Sequence, residues 1–519
     1  MKITLKSISL IFLLLSLVYI SFISFYTFFQ PLRTDDTFWH LKIGEIIFKT
    51  GSFPEADPLL FTSRGLKPLY HEWLFQVGIF LFSKIKGLYF LRFVLPLMAG
   101  LIVIKIFKFF SLFLSTKQEL IAGISIFLLF SYQRLIQLRP HIFSIFLFYW
   151  FLHLILKKED NHFFKRVLIF IVLSIIWANM HSLCLIIFPY WFLFIIMSLV
   201  YREQFNISFK NIVNQLQYIT ISFFAMALNP LGIKIYAFFF IGSARNDYKN
   251  VIDEWGRFNP FGLNDFLPLS SFVLVIWFFF IAVFTYLALT HKWFKISFKK
   301  NVKRDNGYLE FLKFYIYAAA GLSIAIIFYA VRFVWLIPFP FLAIIIFLKE
   351  ELKCQQEFKE LLKVLLAVLL CVSAYIHFNL KDSKMYRIPF NNTYFVNAVD
   401  SIKYHEQAVT FLKDKQIKGL IFNPYFMGGF LSFYLYPDIK TFIDGRFEHY
   451  SAKVNHDYYF IRQAGDDFED LLDEYRIDIF FIPLYKQYSK LRAILPKFDY
   501  RLVYKDYSTE IFIRKNMQL

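Results

Sequence analysis

Cysteine is scarce, with 3 in 519 residues. By the topology argued below, Cys184 and Cys371 fall in apolar spans and Cys354 in an inner loop. No outside disulfide, thiol chemistry or cysteine-based metal site is therefore expected. No H-E-x-x-H or G-x-S-x-G pattern occurs, and Gly428-Gly429 lacks the spacing of a dinucleotide or P-loop signature. Repeats, low-complexity tracts and Pro/Ser-rich linkers are also missing. Most informative is the lack of charge inside the long hydrophobic runs, where Arg92, His153 and Glu310 are the few exceptions. A transporter keeps ionisable groups at mid-membrane depth, where its cargo passes. An enzyme working on lipid-borne substrates needs them at the membrane surface, and here the polar clusters gather in loops on one side.

What is present is strongly apolar. At 58% hydrophobic, with 71 Phe and 32 Tyr, the chain exceeds the usual composition of a soluble protein. Runs approaching the roughly 20 apolar residues that cross a bilayer lie near 7–29, 88–112, 118–133, 141–157, 165–178, 183–200, 212–228, 267–290, 308–330, 333–348 and 361–378. The expected fold class is therefore an α-helical polytopic membrane protein of about 11 transmembrane helices. Lys2, Lys6, Lys105, Lys108, Lys117, Lys157, Lys158, Lys165, Arg166 and the basic stretch Lys292–Arg304 set the inner side by the positive-inside rule. The net charge of +19 is then mostly a topology signal, and its interleaving with spans argues against nucleic-acid binding. The first run lacks a small-residue cleavage site before Phe29-Gln30-Pro31 and reads as a retained anchor. An odd number of crossings leaves the segment after about residue 380 outside.

Two domains are expected, a bundle over 1–380 that includes an outer loop at 31–87, and a soluble extracytoplasmic α/β domain over 381–519. In the tail, helices near 402–414, 426–435, 454–475 and 486–495 alternate with strands at 418–422, 440–443, 477–483 and two within 500–514.

The outer loop carries the densest chemistry. Residues 34–50 read T-D-D-T-F-W-H-L-K-I-G-E-I-I-F-K-T, followed by Gly51. Thr34 suits an N-cap and Gly51 a C-terminal stop. Trp39, Ile43, Ile46 and Ile47 share one face, which predicts an amphipathic helix on the outer membrane surface. It would hold Asp35 and Asp36 at headgroup depth, with His40 one turn on. Two readings stand for the aspartates, a helix N-terminus that favours acidic residues or a functional carboxylate pair. Further on, His71, Glu72 and Trp73 open a second apolar helix to about Phe82. This is read as a surface or re-entrant element, its His-Glu pair either capping the helix or belonging to a site.

Other outer turns add Arg134, Arg139 and His141. The arginines either snorkel to the interface or offer a planar fork of donors to an anionic phosphate. Trp177, Asn179 and His181 form the next turn, as bundle hydrogen-bonders or as ligands. Asn229-Pro230-Leu231-Gly232 is a turn, and Glu254 beside Trp255 is placed to face a sugar. Arg332 is a second phosphate candidate, or one half of an internal salt bridge. In the tail, Asp444-Gly445-Arg446 reads as a turn that docks the tail on the bundle.

The order of these motifs resembles the GT-C superfamily of polyprenol-dependent glycosyltransferases. A carboxylate pair after the first span is followed by an interfacial helix, G-S-F-P and K-P-L-Y-H-E-W-L, where members often read D-E, G-D-W-x-x-P and K-P-P-L-x-Y-W-L. Bacterial multispan proteins of that superfamily share W-H, H-E-W, R-P-x, N-x-H, N-P-x-G, E-W and G-G-[YF]…D-G-R along most of the chain. This chain departs in having Asp36 where Glu is frequent and His71-Glu72 in place of an aromatic stretch. The resemblance implies a bacterial inner-membrane glycosyltransferase, moving a sugar from a polyprenyl-phosphate donor to an extracytoplasmic acceptor (lipid, glycan or protein). It gives Asp35 the catalytic role, with Asp36 second; the outer polar clusters themselves supply the substrate-binding candidates His40, His71, Glu72, Arg139, His141, Asn179, His181, Glu254 and Arg332. A divalent cation such as magnesium or manganese on Asp35 and Asp36 is compatible with hard oxygen donors. The rivals are a lipid-linked-glycan transporter or flippase, and a non-catalytic envelope assembly protein.

Overall fold

The computed structural model describes residues 31–158, 162–238, 307–351, 398–400 and 403–518. The spans expected near 7–29, 267–290 and 361–378, and Glu254, lie outside the described residues.

Helix α1 (Asp36–Thr50) ends at Gly51, whose left-handed φ of 65° lets its N–H reach Ile47 O. Its N-cap is Asp35 rather than Thr34, and the Asp35 side chain makes no capping bond. Helix α2 (Trp73–Lys86) follows across an extended, proline-rich connection. A single turn, Leu88–Leu91, then leads into the bundle. The bundle comprises α3 (Val94–Phe110), α4 (Lys117–Leu135), α5 (His141–Leu156), α6 (Phe163–Met180), α7 (Ile187–Val200), α8 (Phe209–Met226), α9 (Gly307–Tyr329) and α10 (Pro338–Glu351). Among the described residues, four stretches are long and apolar enough to cross a membrane, Leu88–Phe110, Phe163–Met180, Ser182–Val200 and Gly307–Tyr329. The other bundle helices are apolar but shorter or more polar. Some buried hydroxyl and indole groups find partners within the bundle. Tyr149 O–H donates to Trp335 O at 2.9 Å, and Trp191 Nε1 to Gln215 Oε1 at 2.8 Å.

The tail forms helices α11 (Glu406–Asp414), α12 (Gly428–Leu435), α13 (Ala452–Gln463), α14 (Phe468–Tyr475) and α15 (Ser489–Ile494) around five strands. These are β1 (Gly419–Phe422), β2 (Ile439–Thr441), β3 (Ile479–Pro483), β4 (Tyr500–Lys505) and β5 (Thr509–Arg514). The sheet order is β2-β1-β3-β5-β4, with β1 parallel to β2 and β3, and β5 antiparallel to β3 and β4. Period-two alternation along β3 sends Phe480 and Ile482 into a core with Tyr458, Leu472 and Leu491 of the helices on one face. Ile479 and Phe481 face the other way, into a core continuous with Phe38 of α1 and with the bundle.

The outer loop also lengthens this sheet. Thr441 N–H donates to Leu59 O at 3.0 Å and Phe61 N–H to Thr441 O at 3.2 Å. Residues of the loop thus pair with the β2 edge, which would otherwise present unpaired backbone groups. The expectation of α1 lying on the membrane surface is corrected here. Trp39, Ile43 and Ile47 are buried with Leu59 and Tyr70, and Phe38 packs against Tyr404 and Phe430. Protein rather than lipid covers the apolar face of α1, because the tail and α2 bury it first.

Candidate active site

The site begins where α1 crosses α2. Gly44 lies directly on the Gln76 backbone, leaving no room for a Cβ. Thr37 Oγ1 donates to Leu138 O at 2.9 Å, tying the start of α1 to the turn between α4 and α5. That turn supplies Arg139, whose Nε lies 2.9 Å from Asp36 Oδ2. Trp39 Nε1 donates to Asp36 Oδ1 at 3.2 Å.

Glu72 is the hub of the arrangement. It occupies the N-cap position of α2 but makes no capping hydrogen bond, so capping does not explain it. His71 Nε2 and His181 Nε2 stand 3.5 and 3.6 Å from Glu72 Oε1, and His40 Nε2 3.9 Å from Oε2. Burial, then the nearby Arg139, holds the His40 pKa well below the usual imidazole value. Burial and then Arg332 do the same to His181. Burial alone would lower His71 too, but the charge of Glu72, its hydrogen bond to the ring and the charge of Glu448 together outweigh that and raise its pKa. Neighbouring amides lock the frame: Trp73 Nε1 donates to Asn179 Oδ1 at 2.6 Å, and Asn229 Nδ2 to Ala178 O at 2.6 Å and His71 O at 3.3 Å.

The tail closes this assembly. Arg446 Nη2 lies 2.6 Å from Asp444 Oδ2 and Arg446 Nη1 2.8 Å from Asp57 Oδ2, with His449 Nδ1 2.6 Å from the same Asp57 oxygen. Burial opposes ionisation of Asp57, yet Arg446 and His449 outweigh it and hold its carboxyl far below the ordinary range. Gly445 lies against the Asp36 carboxylate where a side chain would collide. Beside these residues lies a small pocket, lined among others by Trp39, His71, Glu72, Gln76, Arg446 and His449.

Several expected residues meet here. Asp36 and Arg139 form one pair, while His40, His71 and His181 surround Glu72. Asn179 braces Trp73, and Arg332 and His141 lie close enough to His181 to depress its pKa. His141 itself hydrogen-bonds Arg134 O at 2.8 Å through Nε2, a bond within the bundle. Asp35 faces elsewhere. Its Oδ1 lies 2.6 Å from Lys403 Nζ and accepts from Tyr404 O–H at 2.9 Å. The aspartate pair does not fit a divalent cation, since one carboxylate is held by Lys403 and Tyr404 and the other by Arg139 and Trp39. Among the described residues, no group of three His, Cys, Asp or Glu side chains has the geometry of a metal site. Gly428-Gly429 offers no phosphate cradle either, because Ile443, Asp35 and Trp39 press against it.

Asp57, Lys403, Tyr404, Gln76 and His449 were not expected at the site. Asp57 sits in P-E-A-D-P, which reads as a loop, and nothing local to it announces a partner 389 residues away. Arg446 was expected to dock the tail, and it does so on the outer loop through Asp57.

No family model matches the chain, and no curated protein matches it. Among solved structures it is similar to ArnT from Cupriavidus metallidurans bound to undecaprenyl phosphate, at 13% identity and a TM-score of 0.43, covering 97% of each chain. It is also similar to ArnT from that organism in the apo state, at 12% identity and a TM-score of 0.42, covering 96% of this chain and 97% of that one. Neither likeness assigns a role to a residue of this chain.

Proposed function

We propose that this chain is a bacterial inner-membrane glycosyltransferase that moves a sugar from a polyprenyl-phosphate donor to an acceptor outside the cytoplasm. The observation that carries the reading is the convergence of Asp36, Arg139, Glu72, His71 and His181 from α1, α2 and two inter-helix turns. Glycosyl transfer to a hydroxyl needs a carboxylate to accept the proton and cationic donors to hold the departing phosphate. Both kinds of group stand here, at the ends of helices apolar enough to sit in a bilayer, where a lipid-linked sugar would present its head. In this reading Arg139 and Arg332 receive the phosphate, and Trp39 and the imidazoles frame the sugar. The tail, taken as an extracytoplasmic domain, walls the acceptor side through Arg446 and His449.

The test is transfer of label from a panel of radiolabelled polyprenyl-phosphate sugars to endogenous acceptors in inner-membrane vesicles. Wild type is compared with Asp35→Asn and Asp36→Asn at equal expression. Wild-type transfer from at least one donor is expected. Asp36→Asn should abolish it by releasing Arg139, and Asp35→Asn should retain most of it, because Asp35 serves the tail. Absence of transfer from every donor would overturn the proposal in favour of transport or assembly.

A further inference from the structure

We infer that Glu72, rather than either aspartate of the outer loop, is the carboxylate that takes the proton from the acceptor hydroxyl. The inference rests on the glycosyl-transfer reading above and assigns its base.

Three carboxylates stand near the site, and their partners differ in kind. Asp35 is held by an ammonium and a phenol, Asp36 by a guanidinium and an indole. Both aspartates thus have oxygens already taken by a cation at contact distance. Around Glu72, among the described residues, the neighbours within ion-pair distance are the three imidazoles alone. The separations of His181 and His40, 3.6 and 3.9 Å, exceed the roughly 2.7–3.2 Å of a direct N–H···O bond. His71 is the one imidazole that hydrogen-bonds the carboxylate, so Glu72 keeps lone pairs for a ligand's O–H.

The contacts also determine which protons face it. Trp177 Nε1 can only donate, and it donates to Ser144 Oγ at 2.8 Å. The Ser144 O–H then has His181 Nδ1, 2.8 Å away, as its acceptor. With Ser144 O–H donating, His181 carries its proton on Nε2, toward Glu72. Gln76 Nε2 lies 3.5 Å from His40 Nδ1, and in the Nε2–H tautomer His40 also donates toward the carboxylate. Burial favours the neutral form of both rings, in which each can still donate toward Glu72. The chain Trp177–Ser144–His181–Glu72 thus runs from the bundle core to the pocket wall.

A place for the hydroxyl is present beside it. Glu72 lines a small pocket with room for about one water-sized group. It suits one hydroxyl-bearing end of an acceptor. Two buried polar atoms of residues in its lining, His71 Nδ1 and Gln76 Oε1, have no hydrogen-bond partner among the described residues. Buried polar groups are rarely left so. Gln76 Oε1 can accept from a hydroxyl, and His71 Nδ1 can pair with the same group in the role its tautomer leaves it. In the step itself the acceptor O–H gives its proton to Glu72 while its oxygen bonds to the anomeric carbon. The bond from that carbon to the phosphate oxygen breaks, and its electron pair leaves on the phosphate.

The experiment compares wild type with Glu72→Gln, Glu72→Asp and Glu72→Ala in full-length protein, using the donor that wild type accepts. Glu72→Gln should lower kcat by about 10²–10⁴-fold, the range of a lost general base, with KM for the donor unchanged. Added formate should restore part of the rate to Glu72→Ala, and Glu72→Asp should keep part of it. A purely structural Glu72 would give no formate rescue. Transfer by Glu72→Gln within about threefold of wild type, less than the smallest contribution expected of a base, would overturn the inference and leave the glycosyltransferase standing. So would a folded Glu72→Ala that formate does not revive. If wild type transfers from no donor, the inference falls together with the reading beneath it.

Discussion

Replacing Arg446 with methionine tests what holds the tail against the outer loop. The guanidinium contacts two carboxylates whose side chains have no exposed surface, Asp57 and Asp444. Arg446→Met keeps most of the apolar stem and removes the charge. Asp57 then retains His449 and the backbone N–H groups of Leu59 and Leu60, while Asp444 loses its only ion-pair partner among the described residues. Removing one partner of a buried pair costs about 3–5 kcal/mol, because the other charge stays buried and uncompensated. Protonation of one carboxyl limits the loss, so the two broken pairs do not add. Against a typical domain stability of about 5–15 kcal/mol, the tail should open locally more often than it unfolds.

Hydrogen exchange of the full chain in nanodiscs reads this directly. The Thr441 and Phe61 amides, which bridge loop and sheet, should exchange about 10²–10³-fold faster, at about 1.4 kcal/mol per decade. Asp57→Asn should do less harm, because Arg446 keeps Asp444. The double variant should fall short of the sum of the two, as neighbours in one network do. Wild-type exchange at both amides in Arg446→Met would refute the argument that this buried network docks the tail.

Two further outcomes follow from the same geometry. Gly44→Ala places a methyl group on the Gln76 backbone; forced apart, α1 and α2 should lose about 1–3 kcal/mol, seen as a lower Tm together with reduced transfer. The docking should also depend on pH in one direction only. The folded Asp57 value is depressed, so its contribution is complete above the unfolded carboxyl value of about 3.9. It is lost as pH falls through the lower folded value. Trp39, whose ring lies 5.5 Å from the Arg446 guanidinium carbon, should keep its fluorescence unchanged from pH 7 to 5. It should change only under stronger acid, and a transition near neutral pH would contradict this account.

Much of the local structure was legible because local rules govern it. Gly51 stops α1 through its left-handed backbone, and the strands at 419–422, 479–483 and 509–514 fall inside or beside the ranges expected from their apolar runs. Arg139, His71, Glu72 and His181 were picked out as polar groups at the ends of apolar runs. The environment of α1 was misjudged: its Trp39–Ile47 face is equally suited to lipid and to protein, and periodicity does not distinguish them. Asp35 and Asp36 are adjacent in sequence, yet they face different partners because successive helix residues point about 100° apart.

The amino-acid sequence by itself determined where apolar helices run, where turns break them and which turns carry ionisable groups, since these depend on composition and short-range periodicity. Tertiary structure alone decided that Glu72 collects three imidazoles from α1, from its own neighbour His71 and from the turn after α6. It alone paired Arg446 with Asp57 and turned Asp35 toward Lys403. Such contacts join positions far apart in the chain, and they exist only once close approaches at Gly44 and Gly445 bring the backbones together. No local propensity encodes a partner at that distance.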